Sequence, residues 1–170
     1  MTNNIPIETE RKFLIYMPDL KLLESFDGVR IKKIEQTYLE YESGKNARVR
    51  RIDESGRVSF VKTVKQRIST LSSFEDEHEI DANTYAAELL HADKTKQTVR
   101  KTRYCIPFDN HVIEIDVYPF WNDRAILEVE LASEDESFSL PDHIKVIKEV
   151  SEDSRYKNTK LAESVPFDEI

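Results

Sequence analysis

The chain has 170 residues, of which 34% are Asp, Glu, Lys or Arg and only three are glycine, so it reads as one highly charged globular domain spanning 1–170. Its 25 basic and 33 acidic residues leave a net charge of −8, which argues against nucleic-acid or anionic-membrane binding through bulk electrostatics; an anionic ligand would need a local cluster of Lys and Arg. The single cysteine, Cys105, cannot form an internal disulfide, no apolar run reaches a membrane-spanning length, and "MTNNIPIETE" lacks the basic and apolar regions of a signal peptide, so a reduced, cytoplasmic setting is expected.

In chain order, runs rich in β-branched and aromatic residues predict strands at about 5–16, 29–42, 46–53, 57–67, 74–81, 97–106, 111–119 and 125–132. Between them, "MPDLKLLESF" (17–26) and "ANTYAAELLHA" (82–92) carry Leu, Phe and Tyr at helical spacing. "LPDHIKVIKEV" (140–150) and "DSRYKNTKLAES" (153–164) predict two more helices towards the C-terminus. Ser43-Gly44-Lys45-Asn46, Glu54-Ser55-Gly56-Arg57 and Phe108-Asp109-Asn110-His111 supply turn residues, and such short links imply antiparallel hairpins.

Side chains at i and i+2 of a strand share a face, about 6.5 to 7 Å apart. Like charges recur at that spacing. Acidic pairs are Glu8 and Glu10, Glu77 and Glu79, Glu114 and Asp116, and Glu128 and Glu130; basic pairs are Arg48 and Arg50, and Lys101 and Arg103, joined by Lys12 and Lys65. One such strand alone would be a solvated sheet face. Here the opposite faces of the last two strands are uniformly apolar, with Ile113, Ile115 and Val117 in one and Leu127, Val129 and Leu131 in the next. If these strands are neighbours, four carboxylates crowd one surface and something positive should sit between them. Hard cations such as Mg²⁺ or Mn²⁺ take oxygen ligands of this kind and often bridge to phosphates.

Eight antiparallel strands can close into a barrel with alternating inward and outward positions. The expectation is therefore an inverted α+β fold: an eight-stranded antiparallel β-barrel with a wet, charged interior, its apolar faces turned outward beneath flanking helices. Acids on one side and bases on the other would suit metal ions and a chain of phosphates, to which Arg offers bidentate contacts.

At this point the residues resemble a known family. "IETERK" resembles the ExExK signature of the CYTH domain superfamily, the triphosphate tunnel metalloenzymes. In order, "QTYLEY", "ARVRR", "TVK", "EHEI", "RKTRY", "IEIDVY", "ILEVEL" and "EVSEDSRYKN" look like its successive elements. The resemblance implies a tunnel that binds a triphosphate-containing small molecule and Mg²⁺ or Mn²⁺, in a monomer or homodimer, with a C-terminal helix near one mouth. The activity it implies is hydrolysis of inorganic triphosphate to pyrophosphate and phosphate, as in the short bacterial tripolyphosphatases. The alternatives are a class IV adenylyl cyclase and a thiamine or nucleoside triphosphatase.

Carried over residue by residue, the resemblance implies Glu8, Glu10, Asp116, Glu128 and Glu130 as metal ligands, with Glu114 in support. Lys12, Arg48, Arg50, Lys65, Lys101 and Arg103 would grip phosphate oxygens, with Arg155 and Lys157 reaching in from the C-terminal helix. Lys12, Glu10 and Glu130 would be catalytic, Lys12 by positioning or activating the attacking water. Lys65 is preferred to Lys62, which has the opposite strand parity. Glu77 and Glu79 would ligate metal or orient basic neighbours, and Tyr38 would contact a phosphate or pack. The four histidines lack metal-ligand spacing, Cys105 is expected to face inward as a small filler, and Trp121 to pack at a strand end.

Overall fold

The protein's structure, a computed structural model, describes residues 5–170. Eight strands form the barrel: β1 (Ile7–Tyr16), β2 (Arg30–Leu39), β3 (Lys45–Glu54), β4 (Arg57–Arg67), β5 (Ser72–Ile80), β6 (Val99–Phe108), β7 (His111–Val117) and β8 (Arg124–Leu131). Their hydrogen-bonded order is β5-β4-β3-β2-β6-β7-β8-β1, and β1 pairs back onto β5, so the sheet closes. All neighbours are antiparallel. The β3–β4 hairpin turns on Ser55 and Gly56, both at positive φ (54° and 84°), which the two-residue hairpin needs and glycine accepts without strain.

The faces are inverted as the charge pattern predicts. Phe13, Ile15, Tyr104, Ile106, Ile113, Ile115, Leu127, Val129 and Leu131 point outward and pack in one cluster with Leu23 of α1 (Leu20–Glu24) and Ile144. Each such buried side chain contributes about 1.5 to 3 kcal/mol, so this outer layer is the principal hydrophobic support of the wall. Asp19 caps α1, its carboxylate accepting from the amides of Lys21 and Leu22.

A second apolar cluster closes one end of the barrel. Leu14, Tyr38, Tyr118 and Ile126, whose strand parity is inward, meet Trp121, Val150, Tyr156 and Leu161 there. Among the described residues no helix is long and apolar enough to cross a membrane.

Two expected helices come out differently, and a third forms with its apolar side partly bare. The helix expected at 140–150 is instead a ninth strand, β9 (Val146–Glu149), antiparallel to β1 at Phe13–Ile15. The cause is tertiary: β5 pairs with β1 only over Ile7–Thr9, which leaves the rest of that edge unpaired, and β9 supplies the missing hydrogen bonds. The expected C-terminal helix is a 3₁₀ turn at Ser154–Tyr156 followed by the short α3 (Asn158–Leu161). In α2 (Ala82–Leu89), Tyr85 packs against Phe60 with the rings tilted, but Leu90 just beyond it is 84% exposed, so the predicted apolar side is only partly covered.

Candidate active site

The even positions of β1, β2, β3, β7 and β8 and the odd positions of β4, β5 and β6 face the barrel interior, a cavity of about 370 Å³. Glu8, Glu10, Lys12, Tyr38, Arg48, Arg50, Lys65, Glu77, Lys101, Arg103, Glu114, Glu128, Glu130 and Lys157 line it. The strands thus bring together most of the side chains singled out by alternation. Lys62 lies on the other face, paired with Glu88 of α2.

Three expected site residues do not reach the cavity. Arg155 turns away: it forms ion pairs with Asp153 at 2.7 Å and Asp168 at 2.9 Å, with about half of its side chain exposed. Glu79 shares the inward parity of Glu77 but is exposed at the end of β5, outside the lining. Asp116 is fully buried behind the bases. It accepts from Lys101 at 2.6 Å and from Arg103 through Nε at 2.6 Å and Nη2 at 2.7 Å, so its place is that of an anchor for two cations.

Arg103 is the hub of this wall. Besides Asp116 it reaches Glu128 at 2.6 Å and Glu114, and Glu128 in turn holds Lys12 at 2.8 Å. Burial works against charge on Lys12, but Glu128 and Glu10 outweigh it and raise its pKa above the ordinary lysine value. Lys12 is therefore a fixed ammonium. Farther round, Lys65 lies between Glu8 and Glu75, with Glu75 at 3.1 Å; Arg48 meets Glu75 at 3.3 Å and Arg50 meets Glu77.

Charge crowds both sides. On the basic wall, burial and the neighbouring Arg48 push Arg50 down to about 10, and burial with Arg103 pushes Lys101 down to about 8 despite Asp116. On the acidic wall, Glu10 stands directly opposite Glu130 across the β1–β8 ladder, and Glu114 opposite Glu128. Burial, followed by Glu114, Glu75 and Glu10, raises the Glu130 carboxyl. Burial, followed by Glu75, pushes Glu8 up to about 8. Burial also works against ionisation of Glu75, yet Glu8, Arg48 and Lys65 hold it down at about 2. Like charges crowd within each wall while opposite charges pair between them, an arrangement suited to a cation and a polyanion bound together.

The donor chemistry suits a hard divalent ion: Glu8, Glu10 and Glu130 offer oxygen only, and no Lys or Arg pairs with Glu130 among the described residues. No group of three His, Cys, Asp or Glu side chains there already converges as a ready chelate. Such a site would thus complete its ligand sphere with waters or phosphate oxygens.

The pH dependence of stability follows from Glu8. The folded chain keeps one proton on the interacting Glu8 and Glu75 carboxyl pair between the ordinary glutamate range and about 8, where the unfolded chain has lost it. Its stabilisation is therefore fully present below about pH 4.5 and is lost as pH rises through about 8. With about a quarter of the side chain open to water, the loss between pH 5.5 and 8.5 should be about 1 to 3 kcal/mol. Thermal melts in EDTA should show Tm falling over that range in the wild type and a flatter profile in Glu8→Gln. Equal slopes would remove Glu8 as the titrating group.

Several lining residues escape the charge-pair reading, among them Glu75, Lys32, Ser151 and Asn158. Glu75 shares the face of Glu77, but the strand begins at Ser72 rather than 74, which brings Glu75 well inside. Lys32 shares the parity of Tyr38, a signal available from alternation. Ser151, on irregular chain, and Asn158, at the start of the one-turn α3, arrive near the barrel's closed end, where no periodicity marks them.

Comparison with known proteins agrees with this architecture. An inorganic triphosphatase of Nitrosomonas europaea is 36% identical over 93 residues, which make up 53% of this chain and 61% of that relative, so the match spans about three fifths of the relative's length. The crystal structure of an inorganic triphosphatase is similar with a TM-score of 0.55 at 28% identity, covering 94% of this chain and 96% of that one. A Hippeastrum protein, described as a putative adenylyl cyclase with a dominant triphosphatase activity, shares the fold at a TM-score of 0.53 and 16% identity, over 74% of this chain and 80% of its own. The CYTH domain matches residues 6–164, a span that takes in all eight barrel strands, and the chain belongs to that family.

Proposed function

We propose that the protein hydrolyses inorganic triphosphate to pyrophosphate and phosphate inside the barrel, with Mg²⁺ or Mn²⁺ as cofactor. The observation that carries this reading is the crowding of cations on β3, β4 and β6 against carboxylates on β1, β5 and β8 around one cavity. The named activities of the relatives point the same way. A cytoplasmic setting fits the free thiol of Cys105.

Arg48, Arg50, Lys65, Lys101 and Arg103 bind the phosphate oxygens, exchanging some of their carboxylate partners for substrate. Arg103 and Lys101 hold their direction because Asp116 anchors them from behind. A divalent ion held by Glu8, Glu10 and Glu130 would supply charge neutralisation at the phosphoryl oxygens and ordered water. Lys12, a held ammonium, orients the attacking water or a terminal phosphoryl oxygen and does not take up a proton. Phosphoryl transfer asks mainly for such positioning and charge balance, so no nucleophilic side chain is required.

The two lysines of β4 test the parity. Lys65→Ala should raise KM for tripolyphosphate about ten- to a hundredfold, the equivalent of one charge-assisted hydrogen bond, whereas Lys62→Ala, on the outer face, should leave kinetics unchanged. Comparable effects of the two substitutions would contradict the assignment.

Substrate choice is tested by rates on tripolyphosphate, ATP and thiamine triphosphate at fixed Mg²⁺ and at fixed Mn²⁺. The highest kcat/KM is expected for tripolyphosphate. Cyclic AMP as the main product from ATP would instead establish a cyclase.

A further inference from the structure

The C-terminal segment adds a neutral group to a cavity otherwise equipped with charges. Asn158, the first residue of α3, is 8% exposed and lines the cavity together with Lys157 and Thr159. Its Oδ1 accepts the hydroxyl of Tyr118 at 2.7 Å. Its Nδ2 donates to no protein group among the described residues, although the side chain is more than nine-tenths buried.

The direction of that amide is determined by Tyr118. The phenol has two acceptors in view, Asn158 Oδ1 at 2.7 Å and Asp116 Oδ2 at 3.4 Å. Asp116 already takes three short hydrogen bonds from Lys101 and Arg103, so the phenolic proton goes to Asn158. The ring itself is clamped by stacking on Phe120 at 4.9 Å, by Trp121 at 5.6 Å, and by Lys101 Nζ above it at 5.9 Å. Burial, followed by the charge of Asp116, raises the phenol well above the usual tyrosine range, so it remains a donor at working pH. With Oδ1 occupied from the tyrosine side, Nδ2 is the end of the amide left for the cavity.

We propose that Asn158 is a substrate-binding residue that donates its Nδ2 hydrogen bonds to phosphate oxygens at the closed end of the barrel, and that Tyr118 is the positioning residue that orients it. This rests on the triphosphatase reading above. The chemistry follows from the surroundings: Lys12, Lys65, Arg67 and Lys157 line the same cavity as Asn158, and burial followed by Arg67, Lys12 and Lys65 lowers the pKa of Lys157, so an anion bound beside Asn158 is already among cations. A neutral donor there adds direction, since a planar amide offers two N–H groups in fixed geometry where an ammonium offers a rotating charge.

Asn158→Asp is the decisive variant. A carboxylate at that position still accepts from Tyr118, so packing and Tm should be unchanged, but it cannot donate and it repels phosphate. Tripolyphosphate affinity, measured by calorimetry on the full chain in Ca²⁺ or without metal, should fall about ten- to a hundredfold. Tyr118→Phe frees the amide to turn, so KM should rise about three- to tenfold while kcat changes by less than twofold. Asn158→Gln should recover none of the orientation, because its longer side chain cannot meet Tyr118 and substrate together.

Wild-type affinity within twofold of Asn158→Asp overturns the inference and leaves the triphosphatase reading intact. Absence of tripolyphosphate binding by the wild type overturns both. A fall in Tm of Asn158→Asp that accounts for the lost affinity assigns the residue a structural role and also overturns the inference.

Discussion

Replacing Arg103 by Ala is expected to cost about 3 to 5 kcal/mol of stability, the range for breaking a buried ion-pair network by removing one partner. The guanidinium ties β6 to β7 and β8: it meets Asp116, Glu114 and Glu128 from one place, with 11% of its side chain exposed. Its removal leaves Asp116 with Lys101 alone, Glu128 with Lys12 alone, and Glu114 without a cation. For a chain of this size Tm should fall by on the order of 10 °C. Substrate affinity should fall with it, because the same group faces the cavity. Arg103→Lys should retain part of the stability but little of the activity, since an ammonium cannot hold Asp116 through two parallel hydrogen bonds and present a further N–H to phosphate. A melt within about 2 °C of wild type for Arg103→Ala would show that the network does not depend on it.

Glu130→Ala should behave in the opposite way. No Lys or Arg pairs with this carboxylate among the described residues, it faces Glu10 directly across the β1–β8 ladder, and burial and its acidic neighbours already raise its pKa. Its removal relieves repulsion, so the variant should fold with an unchanged or slightly higher Tm. Turnover in the presence of metal should nonetheless fall about 10²- to 10³-fold, the effect of losing one group that supports charge stabilisation in the transition state. Glu10→Ala should lose activity similarly. A gain or tie in stability paired with loss of rate separates a ligand-binding carboxylate from a structural one. Full activity of Glu130→Ala at saturating Mg²⁺ would take it off the ligand set.

These two glutamates and Arg103 were legible because strand alternation is rigid: once Ile113, Ile115, Leu127 and Val129 are assigned to a packed face, Glu114, Glu128 and Glu130 must share the other. Alternation says which face a side chain takes, not how deep it sits. Asp116 obeys the rule and still ends behind the bases, because its short side chain is met by Lys101 and Arg103 before it reaches the cavity. Glu79 obeys it too and lies past the lining. The segment after β8 was less readable. At 140–150 the apolar residues and Pro141 resemble a helix, and only the half-paired edge of β1 turns Val146–Glu149 into a strand. Arg155 and Lys157 read alike as basic residues of one helix, yet the 3₁₀ turn sends Arg155 to Asp153 and Asp168 and Lys157 to the cavity.

The central claim is that the two crowded walls serve a triphosphate and a divalent ion together. Phosphorus NMR of tripolyphosphate incubated with the wild-type protein tests it most directly, run with Mg²⁺ or Mn²⁺ and in parallel with EDTA. The account predicts equal amounts of pyrophosphate and phosphate in the metal samples and intact tripolyphosphate in EDTA. Tripolyphosphate that survives in the metal samples, or that disappears equally fast in EDTA, would contradict it.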